Sequence, residues 1–286
     1  MPKCNVCFRQ CEIGEGQRGF CGARGCAGGK VVPANYGKVT SLALDPIEKK
    51  PLKRFCPGSY IVSVGSYGCN LRCPFCQNYD ISWSDEAFEF EREADSLTPE
   101  ELTEIAFQNR YRGNIGVAFT YNEPLIGYEY VLDTARLIHE KRMKNVLVTN
   151  GTASDEILDK LIPYIDAMNI DLKGFTEKYY RGVLGGDLEM VKAFIKKAVT
   201  GCHVELTTLV VTGENDTAEE MEEISSFIAG LKNADGSIIG PDIPLHITRF
   251  FPRFHMTDRP ATDISVMKKL QEVAERKLKY VYLGNV

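Results

Sequence analysis

Six short apolar runs restrict what this chain can fold into: Tyr60–Val64, Ile115–Phe119, Val146–Thr149, Ala167–Ile170, His203–Val211 and Leu245–Phe250, with Tyr280–Leu283 as a candidate seventh. Between them lie stretches with helical start signals. Thr98-Pro99-Glu100-Glu101 reads as a capping box with proline at the first helical position; Leu102, Ile105 and Ala106 follow at helical spacing and Gly113 stops the run. Asp216-Thr217-Ala218-Glu219 opens a second helix, with Met221, Ile224, Phe227, Ile228 and Leu231 as its buried stripe. Ser154 stands as the cap of a third, carrying Ile157, Leu158, Leu161 and Ile162. Strand–helix units in series demand a parallel sheet with the helices outside, because parallel strands need crossovers. The fold class is therefore α/β. Six units fall short of the eight of a closed barrel, which favours an open, partial one; a doubly wound sheet is the rival, and periodicity does not separate the two. In either, ligands bind at the carboxyl ends of the strands.

Composition narrows the class further. A length of 286 residues, 44% hydrophobic and 26% charged, suits one large domain with or without a small appendage. Thirty-four basic against 39 acidic residues leave a net charge of −5, which argues against nucleic acid or a membrane surface as partner. Met1-Pro2-Lys3-Cys4 opens no apolar leader, and no apolar run approaches the length of a membrane span, so a cytoplasmic location is expected. In a reducing compartment ten cysteines read as metal ligands before they read as disulfides.

The first strand-like run leads into Gly68-Cys69-Asn70-Leu71-Arg72-Cys73-Pro74-Phe75-Cys76-Gln77. Three thiolates on one tight loop can hold three corners of an iron–sulfur cube and leave the fourth without a protein ligand. An open metal position is where chemistry happens. Structural zinc loops usually present two C-x2-C pairs, so this spacing favours the cluster. Cys69-x3-Cys73-x2-Cys76, with Phe75 just before the last cysteine, resembles the signature loop of radical S-adenosylmethionine (SAM) enzymes. Asp45-Pro46-Ile47-Glu48-Lys49-Lys50-Pro51-Leu52, Thr120-Tyr121-Asn122-Glu123-Pro124, Asn169-Ile170-Asp171-Leu172-Lys173 and Tyr280-Val281-Tyr282-Leu283-Gly284-Asn285-Val286 are similar to the AmmeMemoRadiSam-system branch, which is related to the pyruvate formate-lyase activating enzymes. The resemblance runs over nearly the whole chain.

It implies a partial (β/α)6 radical-SAM barrel over residues 58–286, behind a small Cys-rich N-terminal extension over residues 1–57. It also implies a [4Fe–4S] cluster on Cys69, Cys73 and Cys76, with SAM held among Phe75, Gln77, Asn122, Glu123, Asn150, Asp171 and Lys173. Glu123 stands where related enzymes carry Gly-Gly-Glu-Pro and is the expected partner of the cofactor's amino group; Tyr121 and Asn122 replace the glycines. Asn150 is the expected ribose partner, although Asn-Gly is equally a turn pair. Asp171 and Lys173 alternate around Leu172, so both can face the mouth, either lining the methionyl end of SAM or forming an ordinary rim ion pair. Related enzymes use a carboxylate near the third strand to bind a monovalent cation; Val148 occupies that place, and no cation site is expected.

Residues 1–57 differ in texture. Cys4-x2-Cys7-x3-Cys11-x9-Cys21 lies in a Gly-rich stretch too poor in apolar residues to fold by burial, and metal binding would tie it down. Cys4, Cys7, Cys11 and Cys21 are candidate ligands of a second site, zinc or a further iron–sulfur cluster. Cys26, Cys56 and Cys202 stand apart as small buried hydrophobes. Val31 to Leu44 alternates weakly and predicts a hairpin ending at Asp45-Pro46. Glu48 to Arg54 reads as a solvated basic linker, though the resemblance places it near the mouth of the site. His246 reads as a satisfied core histidine and His139 as an exposed helical one. No Ser-His-Asp triad, Walker loop or dinucleotide fingerprint is present.

The reaction implied is reductive cleavage of SAM to a 5′-deoxyadenosyl radical, which removes a hydrogen atom from a protein or small-molecule substrate. The electron would come from a low-potential donor such as flavodoxin or ferredoxin. The protein's share is positioning, tuning and exclusion of water. Glycyl-radical activation is the leading specific reading of this oxidoreductase. Redox tailoring of a metabolite or another protein with a second cluster is the alternative, and a non-catalytic metal-binding scaffold is the alternative from a different class.

Overall fold

The computed structural model describes residues 1–90 and 94–286. Its body is an eight-stranded sheet: β1 (Ser41–Pro46), β2 (Tyr60–Gly65), β3 (Asn114–Phe119), β4 (Lys144–Thr149), β5 (Ala167–Asp171), β6 (His203–Val210), β7 (Leu245–Arg249) and β8 (Val281–Gly284). The strands lie side by side in that same order. β1 runs antiparallel to β2, and every later neighbour is parallel. No strand order reverses, so the sheet winds in one sense and has no switch point. This is an open partial barrel, and the doubly wound rival is excluded. β8 is the candidate seventh run.

β1 is the strand that periodicity did not find. In place of a hairpin over Val31 to Leu44, Val31 pairs back with Cys26 in the ribbon Arg24–Ala27 with Lys30–Pro33, and Leu44 pairs with Val62. The cause is the turn. Gly28 and Gly29 both have positive φ, +58° and +72°, as a two-residue hairpin loop requires, and they fix the reversal ahead of the alternating stretch.

Helices α1 (Pro99–Gln108), α2 (Tyr128–Glu140), α3 (Asp155–Leu161), α4 (Leu188–Ala198), α5 (Ala218–Ala229) and α6 (Ile264–Glu275) cover the sheet. The Thr98 capping box forms in full: Thr98 Oγ1 accepts the Glu101 amide at 3.2 Å, and Glu101 accepts the Thr98 amide at 2.8 Å. Thr217 caps α5 through the Glu220 amide. Ser154 holds the cap position of α3, but its hydroxyl bonds nothing there; its amide is used instead, donating to the Val6 carbonyl at 2.8 Å.

Alternation gives the sheet two faces. Val62, Val64, Val117, Phe119, Leu147 and Ile170 join the core beneath the helices. Their neighbours Ile61, Ala118, Val146 and Ala167 point inward, where Ile47 and Leu52 meet them. The basic segment is solvated only in part: Lys49, Lys53 and Arg54 are exposed, while Lys50 and Leu52 are buried. It lines the inner face, with Lys50 only 3% exposed and paired to Asp45 at 2.9 Å. Asn169 donates to the Pro51 carbonyl, and Glu205 accepts the amides of Lys53 and Arg54.

In the N-terminal segment, Cys4, Val6, Ile13 and Cys26 form a small buried cluster, and Cys21 and Ala23 join Tyr67 and Ile126 in another. Polar ties hold the segment to the barrel, including the buried Arg24, whose Nη1 reaches both carboxylate oxygens of Glu129 at 2.8 and 2.7 Å. Cys26 is buried as expected; Cys202 is half-buried, and Cys56 is exposed, because it lies in the surface turn before β2. His246 is buried on Glu205 at 2.7 Å, as a core histidine should be. His139 is half-buried rather than exposed, 3.1 Å from Asp166. No helix among the described residues is long and apolar enough to cross a membrane.

Candidate active site at the carboxyl ends of the strands

The cysteine loop leaves the end of β2 through Gly68, whose φ is +92° and where a Cβ would stand 2.6 Å from the Cys21 carbonyl oxygen. Any side chain would push the N-terminal segment off the loop. Beyond it, Leu71 N–H donates to Cys69 Sγ at 3.4 Å, and the Asn150 side-chain amide reaches the same sulfur at 3.8 Å. Arg72 ties the loop down through the Cys69, Leu71 and Phe20 carbonyls.

The motifs expected at the rim converge on this loop. Glu123 follows β3 and is buried. Its carboxylate accepts from Thr149 Oγ1 at 2.7 Å, the Asn150 amide at 2.7 Å and the Leu125 amide at 3.0 Å. Burial pushes its carboxyl up to about 7, against the pull of those hydrogen bonds. Asn150, after β4, extends its amide to Asn70 Oδ1 at 2.9 Å and towards Cys69 Sγ at 3.8 Å. Asp171 and Lys173, after β5, form an ion pair at 2.7 Å. Burial would lower the Lys173 ammonium, but Asp171 and Cys73 hold it well above the usual range. Leu172 between them is fully buried in the core.

Other predicted residues are placed differently. Asn122 spends its side chain on the backbone, donating to the Tyr67 and Gly68 carbonyls at 3.1 Å each and accepting the Ser66 amide at 3.0 Å. It braces the turn into the cysteine loop. Phe75 is buried, edge-on to Phe250 with centroids 6.2 Å apart. The Gln77 side chain is exposed, and its carbonyl accepts from Arg253. The loop after β7 covers this side: the His255 amide donates to the Pro74 carbonyl at 2.9 Å, and Phe254 stacks on Tyr79 at 4.3 Å.

The donor set suits an iron–sulfur cube. Burial pushes the Cys69 thiol well above its ordinary range, Cys73 up to about 12, and Cys76 upward, so the three are poor thiolates alone; a bound cationic metal reverses that balance. Among the described residues no three His, Cys, Asp or Glu side chains converge tightly enough for a single ion, this loop included. Three soft sulfurs spread around one loop are what a polynuclear iron–sulfur group takes.

Residues 63–228 match the Radical SAM superfamily model. The chain belongs to the radical SAM superfamily. It is an enzyme, and it is activating-enzyme-like. An uncharacterized protein of Methanocaldococcus jannaschii is 42% identical over 99% of this chain and 81% of its own length. The pyruvate formate-lyase-activating enzyme of Clostridium pasteurianum is 23% identical over 74% of this chain and 88% of its length. The 4-hydroxyphenylacetate decarboxylase activating enzyme of Clostridioides difficile is 26% identical over 54% of this chain, which spans only 51% of that protein. In fold, the chain is similar to Streptococcus suis SuiB, with a TM-score of 0.56 and 15% identity over 77% of this chain and 47% of that one. The family works with a [4Fe–4S] cluster and SAM.

Sequence reasoning missed the connectors. Asn70 lies inside the cysteine motif, is buried, and donates to Thr152 Oγ1 at 2.7 Å while accepting from Asn150. An asparagine between two cluster cysteines was the available signal. Thr149, Thr152 and Arg9 offered none, because their partners are distant in sequence.

Proposed function

We propose that this enzyme holds a [4Fe–4S] cluster on Cys69, Cys73 and Cys76, binds SAM against Glu123, Asn150, Asp171 and Lys173, and uses the resulting radical on a protein or peptide glycine, as an activating enzyme does. When bound, the cluster and SAM supply a 5′-deoxyadenosyl radical able to remove a hydrogen atom. The chain's own residues do the rest. Lys173 offers a half-buried cation beside Cys73, Glu123 fixes the Asn150 backbone, and Asn150 bridges to Cys69. Phe75 and Phe250 wall the site from water. The observation that carries the reading is the convergence of three sulfurs with an acid, an amide and an ion pair from three successive strand ends.

A protein substrate is favoured by the relatives named for activating pyruvate formate-lyase and 4-hydroxyphenylacetate decarboxylase. The electron would come from flavodoxin or ferredoxin. Anaerobically reconstituted protein, given SAM and dithionite, should yield 5′-deoxyadenosine and methionine, and Cys73→Ala should yield neither while remaining folded. Deuterium transfer from a glycine-labelled partner protein into 5′-deoxyadenosine identifies the activating reaction. Label from a small metabolite only would replace it with metabolite tailoring. A second metal on Cys4, Cys7, Cys11 and Cys21, zinc or iron–sulfur, belongs to the same proposal.

A further inference from the structure

We propose that Cys4, Cys7, Cys11 and Cys21 carry an iron–sulfur cluster rather than zinc, and that an external one-electron donor delivers its electron there before it reaches the metal on the Cys69 loop. This rests on the reading of that loop as a cluster site. The four cysteines line one cavity with Arg9 and Asn70. One of their sulfurs is served as one on the Cys69 loop is. There, Cys69 Sγ accepts the Leu71 amide at 3.4 Å. Cys11 Sγ accepts the Phe20 amide at 3.5 Å. Like the loop cysteines, they do not converge on a single ion, whereas tetrahedral zinc needs all four sulfurs on one point.

The two sulfur sets are joined. Asn70 lines the cavity of the four cysteines, and its Oδ1 accepts from the Asn150 amide group that reaches Cys69. Arg9 donates to the Asn70 carbonyl at 2.9 Å, and its charge acts on Cys7, Cys11 and Cys21 on one side and Cys69 on the other. Cys4 and Cys21 are buried while Cys7 and Cys11 are half-buried, so the set lies between the surface and the loop. In the transfer a ferredoxin- or flavodoxin-class donor loses one electron and the N-terminal cluster gains it. That cluster is reoxidised as the electron passes to the metal on the Cys69 loop; no covalent bond changes and no proton moves. Zinc, with no second oxidation state within reach, would leave such a bridge idle.

Iron, sulfide and zinc analysis of the full chain after anaerobic reconstitution is expected to give about eight irons and no zinc per chain. About four irons with one zinc overturns the proposal. In Cys11→Ser the iron should fall to about four. The remaining cluster's spectrum should still change on adding SAM, and its reduction by ferredoxin should slow severalfold while reduction by dithionite keeps its rate. An unchanged ferredoxin rate overturns the relay. Arg9→Gln keeps every cysteine and decides the matter if Cys11→Ser does not fold: loss of a cation beside an anionic cluster should lower that cluster's midpoint potential, and an unmoved potential overturns the coupling. A Cys73→Ala protein with full iron content and an intact SAM-induced spectral change would instead condemn the Cys69-loop reading itself.

Discussion

On the outer face of the sheet, Val62, Val64, Leu147, Met168 and Ile170 meet the helices in a continuous apolar core. On the inner face, one residue away along the same strands, stand Ser63, Asn169, Glu205, Thr207 and His246, all buried. The outer face gains stability from area, which is non-directional and forgiving of shape. The inner face gains it from specific pairs. Glu205 alone accepts from the Lys53 and Arg54 amides at 3.0 and 2.7 Å and lies 3.0 Å from His203 and 2.7 Å from His246. Buried polar networks are worth having only when every member is satisfied. The two faces should therefore fail in different ways.

Glu205→Ala should produce the largest loss, about 3–5 kcal/mol, because it strands two backbone donors and two imidazoles. Urea unfolding measures this, and a loss of under about 1 kcal/mol would mean water replaces the carboxylate and the network carries nothing. On the outer face, Leu147→Ala should cost about 2–4 kcal/mol through its cavity, whereas Leu147→Met should cost less than about 1.5 kcal/mol. If Glu205→Gln proves as mild as Leu147→Met, the contrast between the faces collapses. The amide turns a donor towards groups that are themselves donors, so it should not.

The same carboxylate sharpens the comparison through pH. Burial would raise it, but the bonds from His203, His246 and the two amides outweigh that and hold Glu205 at about 2, below the ordinary 4.5. A depressed folded value contributes stability that is present above pH 4.5 and lost as pH falls towards 2. The loss should reach about 3 kcal/mol over that window and be absent in Glu205→Gln. An identical acid limb in both proteins would place the titration elsewhere.

Legibility followed the same division. The outer face announces itself as strand and helix periodicity, so the strands β2 to β8 and the caps at Thr98 and Thr217 could be read directly. The metal loop could be read because all three sulfurs lie within eight consecutive residues. The inner face could not, because its partners lie far apart in sequence: Asn169 meets Pro51, Glu205 meets Arg54, and Arg54 reaches the Tyr280 hydroxyl at 3.2 Å. In the run Glu48 to Arg54, the burial of Lys50 and Leu52 shows only once the strands that close over them are in place. Glu123 shows the intermediate case. Its position after β3 was readable, but its three hydrogen-bond donors were not.

Tyr121 is where the inner face meets the candidate site, and it yields the smallest but most telling effect. It holds φ at +74°, a backbone state that favours glycine, directly before Asn122 and Glu123. Its hydroxyl donates to Asp45 Oδ2 at 2.8 Å, and Lys50 lies 4.6 Å from the ring centre while pairing with the same carboxylate. Tyr121→Phe removes one hydrogen bond and leaves Asp45 paired with Lys49 and Lys50, so the stability loss should be about 1 kcal/mol. The turn it anchors should loosen. The KM for SAM should then rise severalfold while iron content and the rate at saturating SAM hold. Should KM stay fixed, the inner face is a floor that supports the barrel and has no hand in placing the residues above it.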